Sequence, residues 1–118
     1  MHHENNETAK KLLQNAVNEF YLLCKKHYGE SIHDIILYGS YARGDYKENS
    51  DIDIMVVVKD GTIIKTPDME LCSIASSIDY KYDVFIVPLV RTINDFESKK
   101  HIAGFYNNIY REGVSING

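Results

Sequence analysis

The segment from Ile35 to Asp53 decides the fold, because it joins two apolar runs through a short polar bend. It reads IILYGSYARGDYKENSDID. The first run, Ile35–Tyr38, is short, rich in β-branched residues and followed by glycine, which predicts a buried strand. The second run, Asp51–Lys59, reads DIDIMVVVK. Its almost wholly apolar second half is typical of a central strand that is covered on both faces.

A third strand is predicted over Tyr82–Pro88, which reads YDVFIVP and ends at a proline that cannot continue a central ladder. Helical patterns surround the three strands. Because helices alternate with strands, we expect the α/β class, with a small mixed β-sheet flanked by helices. The helical segments are Thr8–Tyr28 with Thr8 as a candidate cap, a turn over Ser40–Asp45, Pro67–Asp79, Thr92–Lys99 and Ile102–Arg111.

Length and composition limit the class of protein. A chain of 118 residues suits one domain, 1–118, in which we expect the polar residues 1–7 to be flexible. The net charge of −4 argues against a broad electrostatic grip on nucleic acid, so no direct nucleic-acid binding is expected. No apolar run approaches the ~20 residues of a membrane span, and Cys24 and Cys72 form no metal-type pair. The simplest expectation is a cytoplasmic protein without membrane contact.

Two carboxylates stand at strand spacing at the start of the second apolar run. Side chains alternate along a strand, so Asp51 and Asp53 should share one face, about 6.6 Å apart along the backbone. Neighbouring carboxylates resist joint ionisation unless a cation lies between them, and Mg²⁺ suits two carboxylates together with substrate phosphate oxygens. Asp83, inside the third apolar run, could hold a second ion about 3.5–4 Å from the first. Together these residues predict a magnesium-dependent nucleotide site.

The bend between the strands suits a phosphate. Gly39 lets the backbone approach an anion closely, and N–H groups of the following turn can face it. Ser40 adds a hydroxyl donor and Arg43 a planar fork for phosphate oxygens. Simpler interpretations remain open here. Gly39-Ser40 could be a plain turn and Asp51 a turn cap, Arg43 could pair with a neighbouring aspartate, Asp45, and Ser50 could be a hydroxyl without a ligand.

These residues resemble the polymerase-beta-like nucleotidyltransferase superfamily. The superfamily pattern hG[GS], then Dx[DE], then a later strand carboxylate is met by Gly39-Ser40, Asp51-x-Asp53 and Asp83. More closely, GSYARGD and SDIDIMV are similar to the minimal nucleotidyltransferases of bacteria and archaea. The tail Phe105–Gly113, which reads FYNNIYREG, also resembles the end of such chains.

The resemblance implies roles for the site residues and a protein partner. Gly39 and Ser40 would contact the triphosphate of ATP, while Arg43 and Ser50 match nucleotide-binding positions. Minimal members are commonly paired with a HEPN-domain toxin and act as antitoxins, some by transferring AMP to tyrosine hydroxyls of that partner. The carboxylates would bind Mg²⁺, as two ions, and act in catalysis; they are Asp51, Asp53 and Asp83.

Two other functions remain open. The chain could be an antitoxin that neutralises its partner by occlusion without catalysis, or it could modify a small molecule. Modification of a small molecule is disfavoured, because only some 35 residues follow Asp83 and a cleft for a small acceptor needs more walls. For the same reason we expect a second molecule to complete the site. It could be a copy of this chain in a homo-oligomer, a HEPN partner or the acceptor.

Overall fold

The computed structural model describes the backbone of residues 2–47, 50–102 and 104–116, and the side chains of these ranges from residue 10 onward. A single 3₁₀ turn, Gly29–Ser31, follows the first helix. The helices are α1 (His2–Tyr28), α2 (Ser40–Arg43), α3 (Met69–Tyr82), α4 (Ile93–Lys99) and α5 (Gly104–Glu112), and the strands are β1 (Ile32–Tyr38), β2 (Ile52–Val58), β3 (Ile86–Thr92) and β4 (Val114–Ser115).

The four described strands form one mixed sheet in the order β3-β2-β1-β4. β1 is antiparallel to both β2 and β4, whereas β3 is parallel to β2. Parallel neighbours need a long crossover, and α3 lies in the connection between β2 and β3. The predicted fold class, a small mixed sheet flanked by helices, is therefore confirmed.

Helices cover both faces of the sheet, which explains why β2 is apolar on both sides. On one face, α1 and α3 pack against Ile52, Ile54 and their neighbours. On the other face, α4 and α5 pack against Met55 and Val57. Because burial contributes about 25 cal/mol per Å² of apolar surface, such a strand is a main source of stability. The largest fully buried side chains include Phe20, Ile35, Ile52, Ile54, Met55, Ile78 and Ile109.

The third strand is displaced along the chain from its predicted position. α3 continues to Tyr82, and Asp83 follows it as an exposed C-terminal cap in the left-handed conformation, with φ 55° and ψ 51°. The Asp79 carboxylate accepts a hydrogen bond of 2.8 Å from the N–H of Ile86, where β3 begins. The prediction that Asp83 lies within a strand is therefore wrong. Pro88 lies inside β3, which is possible because β3 is an edge strand with half of its N–H groups facing away from β2.

The ends of the other helices follow local capping chemistry. Asp68 caps α3 by accepting from the N–H of Leu71, so this helix begins after the predicted Pro67. Thr92 caps α4 in the same way through the N–H of Asp95, which confirms the predicted helix. β4 was not predicted, because two residues are too short to show a periodicity.

The first helix begins earlier than its apolar pattern predicts. α1 starts at His2, and Thr8 lies inside it rather than at its cap. Residues 2–8 of the helix are all polar, so a boundary based on the apolar pattern falls too late. The flexibility of residues 1–7 stays a prediction, and Met1 lies outside the described residues. No described helix combines the length and apolar character needed to span a membrane.

Candidate functional site

The start of β2 presents the carboxylate of Asp53 on the face that α4 and α5 cover, and Asp51 directly precedes the strand. Ile52 and Ile54 point into the core beneath α1 and α3, so the alternate residues face the opposite side. Asp53 is half-buried and pairs across the ladder with Tyr38 of β1, whereas Asp51 precedes β2 and is exposed. Because Asp51 lies outside β2, its predicted placement on the same face as Asp53 stays a prediction.

Gly39 forms the bend directly above Asp53. Its φ of 73° and ψ of −152° fall in a region that is essentially restricted to glycine. A Cβ atom at this position would collide with Oδ2 of Asp53. Two features therefore require glycine at position 39: the backbone conformation and the close approach of the Asp53 carboxylate. The interpretation as a plain turn does not explain the second of these.

A cavity of about 230 Å³ opens beside Gly39 and Asp53. Its walls come from the end of β1, from α2 and from α5. Phe105 of α5 packs edge-on against the Tyr38 ring, with 5.8 Å between centroids, which joins α5 to the sheet. The lining residues are Tyr38, Gly39, Arg43, Asp53, Phe105, Asn108, Ile109 and Glu112.

The surroundings of Asp53 disfavour the ionised form of its carboxyl group. Burial raises its pKa above the usual range, the charge of Asp51 raises it further, and Arg43 acts in the opposite direction. Burial also raises the pKa of Tyr38 to about 12, with a contribution from the charge of Asp53. Two hard oxygen donors that repel each other fit a divalent cation such as Mg²⁺, which takes its remaining ligands from phosphate and water.

Arg43 forms ion pairs with two acidic residues, of which Glu112 also lines the cavity. Its Nε donates to Oδ2 of Asp45 at 3.2 Å, and its Nη1 donates to Oε2 of Glu112 at 3.4 Å. Both carboxylates raise the pKa of the Arg43 guanidinium, and Asp45 has the larger effect. The pairing with Asp45 confirms one of the interpretations left open by the sequence, but the contact with Glu112 was missed. Glu112 lies in the REG tail, and only the packing of α5 brings it to the site.

The two serines of the motif lie differently. Ser40 is the first residue of α2, and its carbonyl accepts from the N–H groups of Gly44 and Asp45. Ser50 closes a turn: its Oγ accepts from the N–H of Lys47 at 2.7 Å. Neither serine is among the residues that line the cavity, and their nucleotide contacts stay predictions.

The structure does not bring Asp83 to the other two carboxylates. In the parallel ladder between β2 and β3, the residue beside Asp53 is Val87. Among the described side chains, those of residues 10–47, 50–102 and 104–116, no three His, Cys, Asp or Glu residues form a group that could hold a metal ion. The described residues therefore do not form the predicted three-carboxylate group, because Asp83 caps a helix before the strand begins, and the metal-binding and catalytic roles of Asp83 stay predictions.

The sequence of this chain matches one known protein family over most of its length. The model of the nucleotidyltransferase domain family matches residues 17–113. A protein of Methanocaldococcus jannaschii named "Putative protein adenylyltransferase MJ0604" is 39% identical over 100 residues, which cover 85% of this chain and 93% of that protein. A second protein of this organism, "Putative protein adenylyltransferase MJ0141", is 41% identical over 61 residues, or 52% of this chain and 61% of that protein's length.

Solved structures share the fold. The "Structure of putative minimal nucleotidyltransferase" aligns with a TM-score of 0.60 at 17% identity, covering 92% of this chain and 95% of the other. The "Crystal structure of the toxin-antitoxin with AMP-PNP" also aligns with a TM-score of 0.60, at 18% identity, covering 89% of this chain and 73% of the other. At such low identity these likenesses show the fold alone.

Proposed function

The chain belongs to the nucleotidyltransferase domain family, and on this basis we propose that it transfers AMP from ATP to a hydroxyl group of a partner protein. One observation carries the proposal. The Asp53 carboxylate packs directly beneath the glycine-only bend at Gly39, at the edge of a cavity that also holds Arg43. A bend that allows close approach, a carboxylate with a raised pKa and a guanidinium are the groups that a nucleoside triphosphate and its cation need.

Each residue has a part in this proposal. Gly39 lets the triphosphate approach the backbone, and Arg43 exchanges a carboxylate partner for phosphate oxygens. Asp51 and Asp53 would hold Mg²⁺, which stabilises the charge on the α-phosphate and on the pyrophosphate leaving group. The second ion predicted from the sequence requires a third carboxylate near Asp53, and Val87 stands at that position of β3. The proposal is therefore limited to one ion.

We infer that the acceptor is a tyrosine hydroxyl of a HEPN-domain toxin and that the transfer makes this chain an antitoxin. Two relatives are named as protein adenylyltransferases, and one neighbour in fold is a toxin–antitoxin complex with AMP-PNP. A cavity of about 230 Å³ is below the usual size of a ligand pocket. An acceptor protein would supply a further wall beside the described residues that line this cavity.

The test is transfer of label from α-labelled ATP to a partner protein that is co-purified with this chain. We expect Mg²⁺-dependent labelling by the wild type and a loss of about 10³-fold in rate for Asp51→Asn, which removes one ligand. Equal labelling by the two proteins would refute the assigned role of Asp51. Labelling of a small molecule instead of the protein would refute the acceptor.

A second function, inhibition by occlusion without catalysis, is favoured by one observation. The β3 residue beside Asp53 is the apolar Val87, so the acidic group is smaller than the superfamily pattern implies. The double variant Asp51→Asn/Asp53→Asn separates the two functions in cells that express the toxin. Loss of protection supports transfer, whereas full protection supports occlusion.

A further inference from the structure

The wall of the cavity opposite β2 carries a carboxylate that the sequence pattern leaves without a role. Glu112 is the last residue of α5, and it lines the same cavity as Asp53 and Gly39. The next residue, Gly113, fixes its position. A Cβ at Gly113 would collide with the carbonyl oxygen of Ile109 and with Cγ2 of Ile36, so the end of α5 is pressed against β1.

The present partner of Glu112 is exchangeable. Its contact with Arg43, at 3.4 Å, joins side chains that are 35% and 45% exposed. Ion pairs of this kind in water contribute little to stability. A triphosphate carries several charges and can bind the guanidinium at two oxygens, so it should compete successfully for Arg43. Nucleotide binding would then leave the Glu112 carboxylate free on the cavity wall.

The transfer needs a group that takes a proton, and β3 does not provide one beside Asp53. The residue at that position is Val87, and Asp83 is an exposed helix cap. Asp51 and Asp53 would have their oxygens engaged with the cation. Of the residues that line the cavity, Glu112 is the remaining acidic side chain.

We propose that Glu112 is the general base of the reaction and accepts the proton of the attacking hydroxyl. The inference rests on the proposed transfer. The acceptor oxygen forms a bond to the α-phosphorus, the bond from that phosphorus to the pyrophosphate oxygen breaks, and pyrophosphate leaves. The hydroxyl proton goes to Oε2 or Oε1 of Glu112 and then to water. The charged and titratable groups that line this cavity with Glu112 are Arg43, Asp53 and the Tyr38 phenol.

The experiment compares Glu112→Gln with Glu97→Gln, a matched control. Glu97 is also a helical glutamate in an ion pair, with Lys100 at 2.6 Å, but it lies on α4 outside the cavity lining. We expect Glu112→Gln to lower kcat for label transfer by about 10²- to 10⁴-fold, the usual contribution of a general base. Glu97→Gln should stay within threefold of the wild type. Formate should restore part of the kcat of Glu112→Ala by replacing the missing carboxylate.

Binding of α,β-methylene-ATP, measured by calorimetry, gives a readout that does not depend on turnover. We expect Glu112→Gln to bind this analogue as tightly as the wild type or more tightly, because Arg43 loses a competing partner. A weakened affinity with an unchanged kcat would mean that Glu112 only positions Arg43 and would overturn the inference. Wild-type kcat in Glu112→Gln would overturn it as well. A wild type that transfers no label would instead contradict the proposed function, and the inference with it.

Discussion

The parallel strands β2 and β3 lie side by side in the sheet, but they contribute differently to the site. β2 presents Asp53 to the cavity, whereas β3 presents Val87 at the paired position. The nearest carboxylate before β3, Asp83, belongs to the cap of α3. The acidic group therefore lies at the start of one strand, and the other charged residues of the cavity come from α2 and α5 rather than from the neighbouring strand.

The largest expected effect concerns the bend above β2. Gly39→Ala introduces a Cβ against the Asp53 carboxylate and places alanine in a glycine-only conformation. We expect the free energy of unfolding to fall by about 3 kcal/mol, measured by urea denaturation. The control is Gly61→Ala, where φ is also positive but no atom lies within 4 Å of the added Cβ. Equal losses would mean that the contact with Asp53 is unimportant.

A carboxylate on β3 would remove the difference between the strands. Val87→Asp places a third acid beside Asp53, and we expect it to cost about 2 kcal/mol in unfolding free energy without divalent cations. Val87→Asn has the same shape without the charge and should cost less. Millimolar Mg²⁺ should restore part of the loss for Val87→Asp alone. If the two variants unfold alike with and without Mg²⁺, position 87 does not share the site of Asp53.

The charge of the Asp53 carboxylate should lower the stability of the folded protein. Burial and Asp51 raise the pKa of Asp53, so its ionised form destabilises the folded protein. Without divalent cations, Asp53→Asn should raise the free energy of unfolding at pH 7 by at most about 1 kcal/mol, because water screens a partly exposed pair.

The pH dependence of this gain has a definite sign. A raised folded pKa means that wild-type stability falls as pH rises through the range from the unfolded to the folded pKa of Asp53. The advantage of Asp53→Asn should therefore vanish as the pH is lowered below the carboxyl range. Thermal unfolding from pH 3 to pH 7 measures it, and an advantage that grows in acid would contradict the account.

The contrast between the strands also explains what the sequence could predict. β2 was predictable because its apolar run and its two aspartates follow a strict alternation, and Gly39 because a glycine between strands marks a bend. Asp83 was misplaced because the pattern YDVFIVP does not show whether the strand begins at Tyr82 or at Ile86. The choice depends on a left-handed cap and on the bond from Ile86 to Asp79, which have no periodic signal.

Glu112 escaped prediction for a different reason. It is 59 residues from Asp53 in sequence, and only the packing of α5 on β1 brings both to one cavity. Tyr38 and Phe105 likewise meet through tertiary packing. Residues that share a strand are visible in a sequence, whereas residues that share a cavity wall depend on how helices dock.

The most direct test compares two carboxylates that the sequence pattern treats alike, by measuring transfer of label from α-labelled ATP with Asp53→Asn and with Asp83→Asn. Asparagine tolerates the left-handed conformation at position 83, so that variant should fold normally. We predict a loss of about 10³-fold in rate for Asp53→Asn and a rate within threefold of the wild type for Asp83→Asn. A comparable loss in both variants would contradict the account, because it would give Asp83, the exposed cap of α3, the same role as Asp53.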